Sequence, residues 1–167
     1  MTVNATAHLQ NVGRLDVHFV VPLDAPRFDM SFGGTLGAMP AASFNVFIGQ
    51  TMPLRLTNGQ VVGISFYATV TNGLASGSVT PCYNDLSVAV TRRGSTGIMG
   101  SGGILGGAAR GIASLVGNWM KVRANNPDDA AAAPRSGPIR RTFTSDETLP
   151  GFLWASVRDG LLAVVRK

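Results

Sequence analysis

From Leu15 to Thr91 the apolar residues of this 167-residue chain recur at nearly every second position. Leu15, Val17, Phe19 and Val21 are separated by Asp16, His18 and Val20, and Phe28, Met30 and Phe32 by Asp29 and Ser31. Phe44, Val46 and Ile48 keep the rule with Phe47 intruding, and Leu86, Val88 and Val90 close the series. The longest run, Gln60 to Thr71, sets Val62, Ile64, Phe66, Ala68 and Val70 on one face. Val61, Gly63, Ser65, Tyr67, Thr69 and Thr71 take the other. Successive side chains of a strand point to opposite sides, so the pattern predicts antiparallel strands with one buried and one wet face. The constraint is strict, because a slip of one residue inverts every face.

The punctuation divides these runs. Asn58-Gly59 supplies the two positive φ angles of a type I′ turn and predicts a hairpin between "PLRL" and "VVGISFYATV". Asn72-Gly73 ends the longest strand, while "GGTLGAMPAA" and "GLASGSVTPCYND" read as loops by composition. Six short strands at this spacing predict a mainly β chain, with a small antiparallel β-sandwich of jelly-roll-like topology over residues 1–93. At about 80 residues it is short of eight strands, so further strands would come from the C-terminus or from a neighbouring subunit.

Composition breaks near Arg93. Nine of the 21 glycines lie between Gly94 and Gly117. On a helical period Ile104, Leu105, Ala108, Ile112, Leu115, Val116 and Trp119 form an apolar stripe, with Gly103, Gly107 and Gly111 at four-residue steps beside it. Residues 94–123 therefore read as a Gly/Ala-rich amphipathic helix. Its interior glycines, each costing about 1 kcal/mol against alanine, make it unstable in water unless the stripe is covered. The sandwich itself, another subunit or a membrane could each provide the cover. Residues 104–122 are long enough to span a bilayer, but Arg110 and Lys121 oppose a permanent span and favour lying in the interface.

Residues 124–141 read as a linker rich in Pro, Asn, Asp and Ala. Residues 142–167 read as a hairpin or a helix: Leu149, Leu153, Val157, Leu161 and Val164 would share a helical face, whereas Asp159-Gly160 is a turn signal. Val164-Val165 tilt the balance towards strands. Charge is lopsided. Residues 1–91 hold three arginines against four aspartates, and residues 92–167 hold 11 basic against 5 acidic groups. The second half is thus a basic arm suited to nucleic acid or an anionic membrane, with Arg92, Arg93, Arg110, Lys121, Arg123, Arg135, Arg140 and Arg141 as candidate polyanion contacts. No aromatic residues interleave with Arg135, Arg140 and Arg141, so base-specific reading is not expected.

Catalytic signals are missing from this sequence. His8 and His18 lack a triad's company, and Cys82 stands alone as a small semi-buried thiol. Asp128-Asp129 and Asp146-Glu147 fall where acidic pairs are solvated caps. The glycines around Gly100 fail the dinucleotide spacing at Leu105. The chain reads as non-enzymatic, without cofactor, metal or small-molecule substrate. Only 14% of it is charged, well under the usual quarter, so much of its surface is expected to be covered by other subunits.

A small alternating β-domain followed by "TRRGSTGIMGSGGILGGAARGIASLVGNWMKVR" resembles the capsid proteins of non-enveloped, picorna-like positive-strand RNA viruses, those of insects in particular. The resemblance implies jelly-roll subunits that build a shell, and a Gly/Ala-rich segment that disrupts membranes during entry. A minor capsid component or projecting domain is the implied role, found in the virion and, during assembly, in the host cytoplasm. Its partners would be other capsid subunits or further copies of itself, membrane lipid and viral RNA. The alternative is a non-enzymatic nucleic-acid-binding module that uses the basic C-terminal half.

Overall fold

Alternation becomes strand along most of the first ninety residues. The computed structural model describes residues 1–24, 28–48, 54–90 and 122–166. The strands are β1 (Thr2–Leu9), β2 (Gly13–Val20), β3 (Met30–Leu36), β4 (Met39–Pro40), β5 (Leu54–Thr71), β6 (Leu74–Val90) and β7 (Gly137–Thr142). They form one antiparallel sheet in the order β1-β2-β3-β5-β6-β7, with the two-residue β4 pairing β5 beyond the end of β3. Apart from the short β4, which the path skips, each strand lies beside its neighbour in sequence, the commonest arrangement for antiparallel chains. The result is an open sheet. The described residues hold no second sheet facing it, so the sandwich expected from the alternation is not built within them.

The second layer is helical. A 3-10 turn (Ala41–Phe44) runs into α1 (Asn45–Ile48), and α2 (Leu149–Val165) crosses the far end. The turn sits on β5, and α2 sits on β6 and β7. Between the layers lies a core in which Phe32, Met39, Val79, Ile139 and Phe152 are almost wholly buried.

Several local expectations are corrected. Asn58-Gly59 makes no hairpin: β5 runs straight through it, with register shifts against β6 between Leu56 and Asn58 and between Asn58 and Gln60. Gly59 still adopts a positive φ of 122°, but spends it on a bulge; turn and bulge need the same backbone freedom. A further shift between Val61 and Gly63 flips the phase, so Val61 is buried and Val62 is 52% exposed. From Ile64 onward the expected buried face holds. Asn72-Gly73 does turn the chain, with φ of 52° and 78° and Thr71 paired to Leu74.

"GLASGSVTPCYND" is not a loop but the body of β6. Its Ser76, Ser78 and Thr80 lie on the side away from the core, while Ala75 and Val79 are buried. The alternation is present there in small residues that a hydropathy reading passes over. Phe44 to Ile48 is helical rather than extended. The Asn45 side chain fixes it, donating to the Leu56 carbonyl (2.9 Å) and accepting from the Leu56 N–H (2.8 Å).

The expected linker, residues 124–141, contains the start of β7, which pairs with β6 from Val79↔Gly137 to Leu74↔Thr142. Residues 149–165 are helix, not the strands towards which the sequence tilts. Thr148 caps α2, its Oγ1 accepting from the Gly151 N–H at 3.3 Å, and Pro150 occupies the first turn where its missing N–H costs nothing. Phe152, Ala155, Ser156, Gly160 and Val164 make the buried face. Phe28, Phe143 and Phe152 pack with ring centroids 4.8 to 6.1 Å apart, joining the loop before β3, the residue that follows β7 and the helix.

Candidate assembly surface and apolar cleft

Directly opposed residues of antiparallel strands share a face. The register Val3↔Phe19↔Phe32 and Ala5↔Val17↔Gly34 therefore carries the core face out to the sheet's edge. Burial does not follow it. Phe32 is 2% exposed on β3, Leu15, Val17 and Phe19 on β2 are half-buried, and Val3 on β1 is 40% exposed. The described helices lie over the β5 to β7 end, so among the described residues the β1–β2 end of the apolar face has no second layer over it.

The two outermost strands differ in kind. β7 carries Pro138, Arg140 and Arg141, devices that discourage another strand from adding to an edge. β1, with the sequence TVNATAHL, has no charge, no proline and no register shift over eight residues. Thr2 to His8 are all exposed. Behind β1, on β2, Arg14 and Asp16 neutralise one another at 2.8 Å, and the Met1 ammonium just ahead of β1 donates to the Val21 carbonyl at 2.7 Å. Asp16 also accepts from Thr6 Oγ1 at 2.7 Å, and these two hydrogen bonds, the Arg14 one foremost, hold its carboxyl below the usual range.

The second feature is an apolar cleft of about 110 Å³ between the layers. Phe44, Leu56, Ile64, Tyr83, Trp154 and Leu161 are among its walls, and Arg158 is its one charged lining residue among those described. A cavity of about 150 Å³ lined by such side chains stays dry and holds benzene, so this one suits an apolar group of side-chain size. Tyr83 is 3% exposed, and its hydroxyl has no hydrogen-bond partner among the described residues. Burial pushes the phenol up to about 12, against the opposing influence of Arg123 and Arg135.

An unpaired buried hydroxyl costs about 1–3 kcal/mol of desolvation. Tyr83→Phe is therefore expected to stabilise the fold by about 1 kcal/mol, read as a higher urea midpoint with unchanged slope. The alkaline behaviour fixes the cause. An unfolded tyrosine ionises near pH 10 while the native phenol holds its proton to about 12. Native stability contributed by the neutral phenol is thus intact below pH 10 and lost as pH rises towards 12. The Phe variant lacks that loss.

The described basic residues do not form one patch. Arg135 pairs with Asp128 at 2.6 Å, and Arg141 with Glu147 at 3.0 Å and Asp159 at 3.6 Å. Arg140 is exposed on the sheet's polar side, opposite Ser76, so these consecutive arginines leave β7 on opposite faces. Arg123 is half-buried where the chain returns to the sheet, its N–H bonded to the Val165 carbonyl. Arg92, Arg93, Arg110 and Lys121 lie outside the described residues. So do Ile104, Leu105, Ala108, Ile112, Leu115, Val116 and Trp119, and with them the amphipathic-helix expectation.

His18 stacks on Tyr67 at 6.3 Å and lies across Gly33; Cys82 is half-buried in β6. Among the described residues no three His, Cys, Asp or Glu side chains gather as metal ligands, and no helix is long and apolar enough to cross a membrane. Sequence reasoning began the alternation at Leu15 and so missed β1, because Ala5 and Ala7 are too weakly apolar to announce it. It also missed Tyr83, Trp154 and the cleft, for which periodicity gives no signal. Comparison with known proteins finds no matching family model, no matching curated protein and no matching solved structure.

Proposed function

We propose that this chain is a structural subunit of a larger assembly, a minor capsid component or projecting domain of a virion, and not a catalyst. One observation supports the reading above the others: an apolar sheet face that the described residues cover with helix at one end and leave open at the other. Full burial of a Val, Leu or Phe side chain is worth about 1.5–3 kcal/mol. Val3, Leu15, Val17 and Phe19 together thus offer a neighbouring copy several kilocalories of association energy. With a neighbour laid over the bare strands, the two-layered β-sandwich is completed between chains rather than within one.

In this reading residues 97–123 supply the membrane-active part. Their stripe from Ile104 to Trp119 meets lipid, and Arg110 and Lys121 meet anionic headgroups. The support here is compositional. Viral RNA remains the partner for Arg92, Arg93, Arg123 and Arg140. The alternative, a nucleic-acid module, is less favoured because Arg135 and Arg141 are already neutralised by carboxylates.

Sedimentation of the purified chain tests the proposal. The wild type is expected to sediment as an oligomer at micromolar concentration. Val17→Lys, which sets a charge on the bare face, is expected to give monomers that keep the wild-type dichroism and melting cooperativity. A wild-type chain that stays monomeric at a hundredfold higher concentration would overturn it.

A further inference from the structure

The unguarded strand says more than that a neighbour exists. We infer that β1 is the seam between two copies of this chain, paired antiparallel to its own symmetry mate about a two-fold axis through Thr6. The inference rests on the assembly reading above and names one of its contacts.

Four observations converge on a second copy. The edge is asymmetric: Pro138, Arg140 and Arg141 block addition at β7, and nothing of the kind stands on β1. A two-fold sets the same edge against itself, so net charge on it would repel; His8 is the one titratable side chain of β1, and Arg14 and Asp16 behind it cancel. The strand alternates strictly, with Val3, Ala5, Ala7 and Leu9 on the apolar side and Asn4, Thr6 and His8 on the polar side. Antiparallel pairing keeps the two sides apart only when the register is even. Finally, the bare face of β1 and β2 reaches this edge, so joining two edges makes one continuous apolar strip from two half-strips.

The register through Thr6 is selected by the side chains. It opposes Val3 to Leu9 of the mate, Ala5 to Ala7, and Asn4 to His8, so that the largest apolar groups of the strand meet across the seam. A register through Ala5 would oppose Val3 only to Ala7 and would set Leu9 against Met1, which lies outside β1. Backbone N–H and C=O groups along β1, now turned to water, would become ladder bonds.

The test is a disulfide. In the Cys82→Ser background, Thr6→Cys places two thiols directly opposite each other at a strand-pair separation of about 5 Å. Mild oxidation of the full chain is expected to convert most of it to a covalent dimer, at least tenfold faster than a control with Ser65→Cys in the middle of the same sheet face. Met1 and Val21 exchange both backbone bonds, so by alternation the N–H groups of Asn4, Thr6 and His8 face the open edge. Asn4→Pro, which removes one of them and leaves the β2 ladder intact, is expected to abolish the cross-link of the doubly substituted chain. Sedimentation of the unoxidised protein separates the two ideas. An oligomer whose Thr6→Cys thiols cross-link no faster than the control overturns the seam and leaves the assembly reading standing. A monomer that does not cross-link overturns both.

Discussion

Replacing Gly137 by alanine is expected to cost the fold about 3 kcal/mol, the upper range for an overpacked site, and to lower its melting temperature by roughly 10 °C. The added methyl has nowhere to go. Built on the backbone, it would lie inside the carbonyl group of Gly160, with the carbonyl carbon 2.7 Å away and Val164 Cγ2 at 3.1 Å. Backbone cannot rotate aside as a side chain can, so relief requires lifting α2 off β7. The reciprocal change is informative because two effects oppose. Gly160→Ala gains about 1 kcal/mol of helix propensity. Its methyl would also meet Val79 Cγ1 at 2.5 Å and the Pro138 oxygen at 3.1 Å, and Val79 is fully buried. Its net loss is expected to be smaller than that of Gly137→Ala. Both are read by urea unfolding with matched slopes. A Gly137→Ala chain as stable as wild type would show that helix and strand do not cross at these two glycines.

That crossing explains the largest misreading of the sequence. Asp159-Gly160 looks like a turn because glycine is the usual means of reaching a positive φ. Here the glycine serves close approach instead, and its backbone is ordinary helix. Sequence alone does not separate the two uses, since both ask only that Cβ be missing. At Gly59 the ambiguity was a different one, between a turn and a bulge that both use a positive φ. By contrast, stretches with large apolar residues on one side were legible: β2, the start of β3 and most of β5 follow the alternation directly, whereas Gly33 to Leu36, expected to be loop, complete β3. Where the inward residues are Ala, Gly or Pro, as in β1 and the first part of β6, the pattern exists but is too faint to read. The second layer was not legible, because a sheet face asks for cover without specifying whether helix or strand supplies it. The candidate surface fared likewise. Low charge predicted covered surface, but only topology places β1 at an edge and leaves β2 half bare.

Asn126→Asp is expected to be the most damaging single change, about 3–5 kcal/mol at neutral pH, although it exchanges groups of nearly equal size. Asn126 is fully buried in the stretch expected to be a linker. Its side-chain amide donates to the Pro81 carbonyl and, at 3.0 Å, to the Arg135 carbonyl; its oxygen accepts from the Arg135 N–H at 2.8 Å. Its backbone exchanges two bonds with Tyr83, at 2.9 and 3.0 Å. One residue thus fastens the returning chain to β6. A carboxylate in its place would turn an anionic oxygen towards two carbonyl oxygens, where only a donor is tolerated. The substituted carboxyl would keep a proton in the native state well above the unfolded value near 3.9. Its damage is therefore least below pH 4 and grows as pH rises, the opposite of a salt-bridged carboxylate. Unfolding midpoints at pH 3.5 and 7 should show a gap to wild type that widens at the higher pH; a gap independent of pH would mean that the site is wet. Nothing in this network touches β1, which lies at the other end of the sheet. Below its unfolding transition the Asn126→Asp chain should still form the Thr6→Cys dimer at the wild-type rate, which separates what holds the subunit together from what joins one subunit to the next.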